Sequence, residues 1–209
     1  QAIRRWTPEQ AVDNATRGQY EGYRDEAGVA PDSSTPTYAA LRLYVDNWRW
    51  RGVPFYLRTG KSLARKASEI AIQFQSPQHL VFAQSPGQRL EPNILGMCLQ
   101  PDEGAHLRFQ VKVPDEGLEM EAVDMEFHYD SAFAGQSIPE AYQRLLQDAI
   151  EGDASLFIRS DPIGEVWRIV DPLLGGWEAS GGAPPHVYEP GAWGPEAAEA
   201  LLAQDGRSW

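Results

Sequence analysis

His106-Leu107-Arg108-Phe109-Gln110-Val111-Lys112-Val113 alternates without a break. Leu107, Phe109, Val111 and Val113 point one way, with His106, Arg108, Gln110 and Lys112 opposite. Successive side chains of a strand project to opposite faces, so a period of two marks a strand with one face buried and the other wet or at an interface. A second stretch repeats the pattern, with Val123, Met125, Phe127 and Tyr129 set against Asp124, Glu126 and His128. Half-buried strands of this kind belong to antiparallel sheets. Working outward, strand candidates lie at Tyr38–Asp46, Val53–Arg58, Glu69–Phe74 and Ile94–Leu99, and join His106–Val113 and Ala122–Tyr129.

Helix signals sit on either side of this block. Thr7-Pro8-Glu9-Gln10 is a capping box with Pro at the first helical position, which predicts a helix running toward Arg17 and a loop opening at Gly18. Residues 21–37 carry Gly, Pro, Asp and Ser without periodicity and read as an excursion near a functional surface. Ser137-Ile138-Pro139-Glu140 is a second capping box, followed by the apolar stripe Tyr142, Leu145, Leu146 and Ile150. Asp161-Pro162 can cap a helix carrying Val166, Trp167, Ile169 and Val170, and a short helix fits Gly194-Pro195 through Ala203. Residues 175–191, rich in Gly and Pro, read as an irregular connection. The sequence displays no internal repeat and no convincing domain boundary. Strands grouped together and helices grouped apart predict an α+β domain, a large mainly antiparallel sheet with helices covering one face.

With 209 residues, 42% of them apolar and seven Trp, the chain is expected to pack a core. The formal net charge of -12 argues against nucleic acid or an anionic membrane as partner. No apolar run approaches membrane-spanning length, and the start is neither a signal peptide nor a Met, so the chain reads as a piece of something longer. The single cysteine, Cys98, excludes an internal disulfide framework and fits a reducing cytoplasm. Within Ile94-Leu95-Gly96-Met97-Cys98-Leu99 it reads as a small buried hydrophobe rather than a reactive thiol.

Much familiar chemistry is missing. No Gly-x-Gly-x-x-Gly opens a strand–helix unit, and no phosphate-binding P-loop motif occurs. His79, His106, His128 and His186 are scattered, without ligand spacing to Cys or carboxylates, so no metal site is expected. His106 and His128 fall on the polar side of their strands, as solvated or interface histidines would. Gly-x-Ser-x-Gly and Cys/His nucleophile patterns are absent. Nothing singles out a pair of carboxylates.

What stands out is Arg58-Thr59-Gly60-Lys61-Ser62-Leu63-Ala64-Arg65-Lys66, four basic residues and no acid in an acidic chain. Only three lysines occur, and two are Lys61 and Lys66. From the residues alone two readings stand: a solvated basic turn pairing with nearby acids, or a cationic pocket for an anion such as phosphate. The spacing limits the second. In a helix Lys61 and Lys66 would lie roughly 140° apart. In a strand they would face opposite ways. They converge on one ligand only if the segment between them turns irregularly.

Asp46-Asn47-Trp48-Arg49-Trp50-Arg51-Gly52-Val53-Pro54-Phe55-Tyr56-Leu57-Arg58-Thr59-Gly60-Lys61-Ser62-Leu63 resembles the signature of glucose-6-phosphate dehydrogenases. The resemblance runs along the chain in order through Arg17-Gly18-Gln19-Tyr20, Ser33-Ser34-Thr35-Pro36-Thr37-Tyr38 and Leu99-Gln100-Pro101-Asp102-Glu103-Gly104. It continues in Ala141-Tyr142-Gln143-Arg144-Leu145-Leu146, Glu165-Val166-Trp167-Arg168 and the ending Asp205-Gly206-Arg207-Ser208-Trp209. It implies the C-terminal domain of that enzyme, here residues 1–209, whose large sheet builds a homodimer or higher oligomer. The N-terminal Rossmann domain, with the catalytic histidine and the nucleotide fingerprint, would lie upstream of Gln1.

The family oxidises glucose 6-phosphate with NADP to 6-phosphogluconolactone in the pentose phosphate pathway. On that resemblance Lys61, Lys66 and Gln100 bind the substrate, with lysine charge for phosphate or hydroxyls and Gln for a hydroxyl. No catalytic residue, cofactor-binding residue or metal ligand is assigned to this chain, and the piece is expected to be inactive alone. Eukaryotic members carry a second, structural NADP. Ala71, Cys98 and Trp193 stand where those enzymes have arginine, while Arg58 and Arg108 stay basic, so the chain resembles the bacterial type without that nucleotide. The alternatives are a non-catalytic regulatory or scaffold module of the same fold, disfavoured by the retained lysines and Gln100, and, from composition, a Trp-rich carbohydrate-binding domain.

Overall fold

The computed structural model describes residues 3–76, 91–114, 119–133, 141–179 and 183–209. The second capping box (137–140) and His79 lie outside these residues. The chain forms two compact units: a first unit of residues 1–65 and 148–209, and a second of residues 66–147. The expected α+β class is what the chain adopts, with antiparallel ladders and separate helices. Its strands hydrogen-bond as two four-stranded sheets, one in each unit.

In the first unit, helix α1 (Pro8–Asp13) carries the expected capping box: the Gln10 N–H donates to Thr7 Oγ1 and the Thr7 N–H to Gln10 Oε1. The helix stops short of Arg17, because Asn14 caps it and strand β1 (Ala15–Tyr20) begins at once. Gly18, expected to open a loop, lies inside that strand. A Cβ there would sit 3.1 Å from the His186 carbonyl oxygen and 3.2 Å from the Pro195 ring, so the glycine serves close packing rather than a turn. Beyond β1 a single 3₁₀ turn, Tyr23–Asp25, interrupts an otherwise irregular excursion.

Strands β2 (Tyr38–Tyr44) and β3 (Pro54–Gly60) follow, and with the late strand β8 (His186–Tyr188) the sheet order is β3-β2-β1-β8. β2 is antiparallel to both neighbours, pairing Ala15 with Leu41 and Tyr38 with Gly60. β8 (His186–Tyr188) joins parallel to β1, setting Gly18 against His186 and Tyr20 against Tyr188.

The alternation of β2 feeds two cores. Tyr38 and Ala40 pack with Tyr188, Ala198, Leu201 and Leu202, the last three from helix α5 (Glu196–Ala203). Ala39, Leu41 and Leu43 face the other way, onto Trp6, Ala11, Ala15, Leu173 and Trp177. Helices therefore lie over both faces of this sheet, which is why β2 is apolar on both sides. Leu173 and Trp177 come from helix α4 (Ser160–Ala179), which runs through Pro172 and Gly175 into the stretch from residue 175 expected to be an irregular connection. Its Gly176 is what the packing needs, since a Cβ would lie 2.4 Å from the Pro8 carbonyl oxygen of α1.

In the second unit β4 (Ser68–Gln73), β5 (Ile94–Gln100), β6 (Gly104–Lys112) and β7 (Met120–His128) form an all-antiparallel meander, followed by the short helix α2 (Tyr129–Ala132). The register sorts its residues by chemistry. Ile72, Leu95, Leu107 and Met125 form one row across all four strands, and Ile70, Met97, Ala105 and Phe127 another. The opposite face carries His106 beside Gly96 and Glu126, and Arg108 bonded to both oxygens of Asp124 at 2.9 and 3.0 Å. Cys98 lies on that polar face, half-buried. Helix α3 (Ala141–Glu151) falls across the division between the units. Its expected apolar stripe is open, with Tyr142 77% and Ile150 87% exposed.

Candidate functional site

Lys61 follows the last residue of β3 directly. Residues 61–67 form neither helix nor strand, and Ser62 has a positive φ of 50°, so the irregular course that convergence of Lys61 and Lys66 demands is present. Lys61 belongs to the first unit, whereas Lys66 is the first residue of the second. Within the second unit Lys66 stands two residues before β4, whose Ser68 pairs with Gln100 at the end of β5. All three side chains are exposed.

The backbone of Lys61 is fixed from several sides. Its N–H donates to the Thr37 carbonyl oxygen at 2.8 Å, and its own carbonyl accepts from the Tyr188 hydroxyl at 2.7 Å. Ser62 accepts from the Gly191 N–H at 2.8 Å, and the Ala64 N–H donates to the Ala192 carbonyl at 3.1 Å. Leu63 packs against the core cluster of Tyr38 and Tyr188. Tyr188 is itself buried, which raises its pKa above the ordinary phenol value and keeps the donating proton in place at neutral pH. Tyr38 beside it is pushed up to about 12 by the same burial.

A second cluster holds the strand that leads to Lys61. The guanidinium of Arg58 lies 4.7 Å from the centre of the Trp193 ring and 4.6 Å from that of Trp209, a cation between two aromatic faces. Arg65 approaches Trp193 at 5.9 Å. The chain end is tied down nearby: the Tyr56 hydroxyl and Arg42 both donate to Asp205, the latter at 3.1 Å. The hydrogen bond from Tyr56, then that from Arg42, holds the Asp205 carboxyl below the usual carboxylate range, while burial and the same carboxylate push the Tyr56 phenol up.

Sequence reasoning missed Tyr188, Trp193 and Trp209 as supports of this loop. Tyr188 fell at the end of a Gly- and Pro-rich stretch read as irregular, and three-residue β8 is too short to announce itself by alternation. Among the described residues no group of His, Cys, Asp and Glu could hold a metal ion. No described helix is long and apolar enough to cross a membrane.

The fold and sequence have known relatives. A family model described as glucose-6-phosphate dehydrogenase, C-terminal domain, matches residues 1–209. The glucose-6-phosphate 1-dehydrogenase of Aggregatibacter actinomycetemcomitans is 44% identical over 217 residues, which covers 99% of this chain and 42% of that protein. Glucose-6-phosphate 1-dehydrogenase 2 of Mycobacterium tuberculosis is 46% identical over 204 residues, 93% of this chain and 39% of the relative. The crystal structure of the Mycobacterium avium enzyme superposes with a TM-score of 0.80 at 38% identity, covering all of this chain and 41% of that one. A glucose-6-phosphate dehydrogenase solved in complex with its substrate glucose-6-phosphate gives a TM-score of 0.84 at 30% identity, covering all of this chain and 43% of the other. The chain thus spans about two fifths of the length of the relatives it matches. It belongs to the glucose-6-phosphate dehydrogenase C-terminal domain family.

Proposed function

We propose that this chain is the substrate-binding and self-association part of an enzyme that oxidises glucose 6-phosphate to 6-phosphogluconolactone with NADP. Lys61 and Lys66 hold the sugar phosphate, and Gln100 binds a hydroxyl. The observation that carries this reading is the Lys61–Lys66 segment, an exposed pair of lysines on an irregular loop whose backbone is fixed at Lys61 from the body of the unit. Its support from outside the chain is the substrate complex of a structural neighbour. A held ammonium adds a charge-assisted hydrogen bond to a phosphate without taking part in proton transfer. The hydride and proton steps belong, on this reading, to the N-terminal Rossmann domain of the whole protein, so the piece alone is inactive. A cytoplasmic, homo-oligomeric enzyme fits the single Cys98 and the apolar rows of the second unit, where Ile70 is 47% and Met125 61% exposed.

The residues present do not fit a second, structural NADP. Arg58 already lies between two Trp rings and Arg108 is paired with Asp124, so the two cations retained at those positions are committed within the chain.

Lys61→Ala and Lys66→Ala, each made in the full-length enzyme, test the proposal by steady-state kinetics. Losing a hydrogen bond to a charged group is worth about 1.5–3 kcal/mol, so KM for glucose 6-phosphate should rise about 10- to 100-fold with kcat much less affected. Unchanged substrate saturation in both variants would refute it.

A further inference from the structure

Tyr188 lies more than 120 residues from Lys61 in sequence, yet its hydroxyl ends on the Lys61 carbonyl. The bonds around it form a directed chain. The Tyr20 N–H donates to Thr37 Oγ1 at 3.0 Å, and because the one Tyr188 hydroxyl proton goes to a carbonyl, nearest the Lys61 oxygen and next the Thr37 oxygen at 3.3 Å, the 3.0 Å bond between the two hydroxyls takes its proton from Thr37. Tyr188 Oη in turn donates to Lys61 at 2.7 Å. Linked donors of this kind polarise one another and strengthen the last bond. The ring is 4% exposed and packed beside Tyr38 and Tyr20, so the hydroxyl has no freedom to leave. The Thr37 carbonyl also accepts from the Lys61 N–H, so Lys61 is held at both its N–H and its carbonyl by Thr37 and Tyr188 together.

We infer that Tyr188, backed by Thr37, is a positioning residue for substrate binding: it fixes the backbone of Lys61 so that the ammonium meets the sugar phosphate already placed. This rests on the assignment of Lys61 to the substrate. A lysine has four rotatable bonds and a compact charge, so an unanchored one must be ordered when the ligand arrives. Anchoring its backbone removes part of that cost, and the effect falls on binding rather than on the chemical step.

The test is a double-mutant cycle in the full-length enzyme. Tyr188→Phe keeps the ring and removes only the donor. One neutral hydrogen bond contributes about 0.5–1.5 kcal/mol, so KM for glucose 6-phosphate should rise about 3- to 10-fold, with kcat within twofold and KM for NADP unchanged. In a Lys61→Ala background the same change should add nothing, whereas a merely structural residue would act equally in both backgrounds. Thr37→Val, measured alongside, should move KM in the same direction and serves should Tyr188→Phe fold poorly. The inference is overturned if Lys61→Ala raises KM while Tyr188→Phe and Thr37→Val do not, or if their effects persist undiminished without Lys61. If Lys61→Ala itself leaves KM unchanged, the substrate assignment fails first and the positioning role with it.

Discussion

The two units solve the burial problem in opposite ways. The first covers both faces of its sheet, and every buried apolar side chain among the described residues belongs to it, from Trp6 to Leu202. In the second, Gly96 alone is buried among the described residues, although its four strands alternate more cleanly than any in the first. Clean alternation therefore signals a sheet with one face prepared for burial, not one whose burial is complete within the chain. The first unit carries its stability inside itself. The second leaves two apolar rows open, an arrangement suited to the oligomer interface proposed above.

The sharpest way to break this contrast is to hollow out the first unit. Leu173 of α4 is 2% exposed, packed with residues of α1 and β2, so Leu173→Ala should cost about 2–5 kcal/mol, read from urea unfolding. A loss below about 1 kcal/mol would mean that the core is not where the structure puts it.

A smaller effect should follow Asp205→Asn, which removes the charge that Arg42 and Tyr56 meet; about 1 kcal/mol is expected at neutral pH. The pH dependence has a definite sign. The folded carboxyl lies below its unfolded value, so its stabilisation is full above about pH 4 and vanishes as pH falls through the folded pKa. The gap between wild type and variant should hold from pH 7 to pH 5 and close under stronger acid. A gap that widened on acidification would contradict the clamp.

The smallest change in stability is expected in the second unit. Met125→Lys on the open face should alter chain stability by less than about 0.5 kcal/mol, while weakening self-association in sedimentation analysis. Loss of folded structure instead would show that the face is already packed within one chain.

How much of this was legible in the sequence depended on whether the signal was local. All six expected strands are present within two residues at either end, because period two is written in neighbouring residues. The failures involve partners distant in the chain. Gly18 and Gly176 look like breakers until β8 and α1 are placed against them, and β1 and the second half of α4 were missed for that reason. The apolar stripe of α3 is present but open, because periodicity identifies an apolar face without saying what covers it. At the site, Lys61, Lys66 and Gln100 were visible through charge and family resemblance. Tyr188 and Trp193 were not, since their roles exist only once residues far apart in sequence meet.

The first unit is written in two pieces, with the whole of the second between them. During synthesis the strands β4 to β7 leave the ribosome in sequence, and each pairs with the one before it. Residues 1–65 must wait. Their sheet lacks β8, and Tyr38 and Ala40 lack α5, until residues 186–203 have been made. Such long-range closure is slow and leaves apolar surface unpaired meanwhile. A stop codon or frameshift before residue 186 therefore removes more than the residues after it. It leaves residues 1–65 without the wall they fold against.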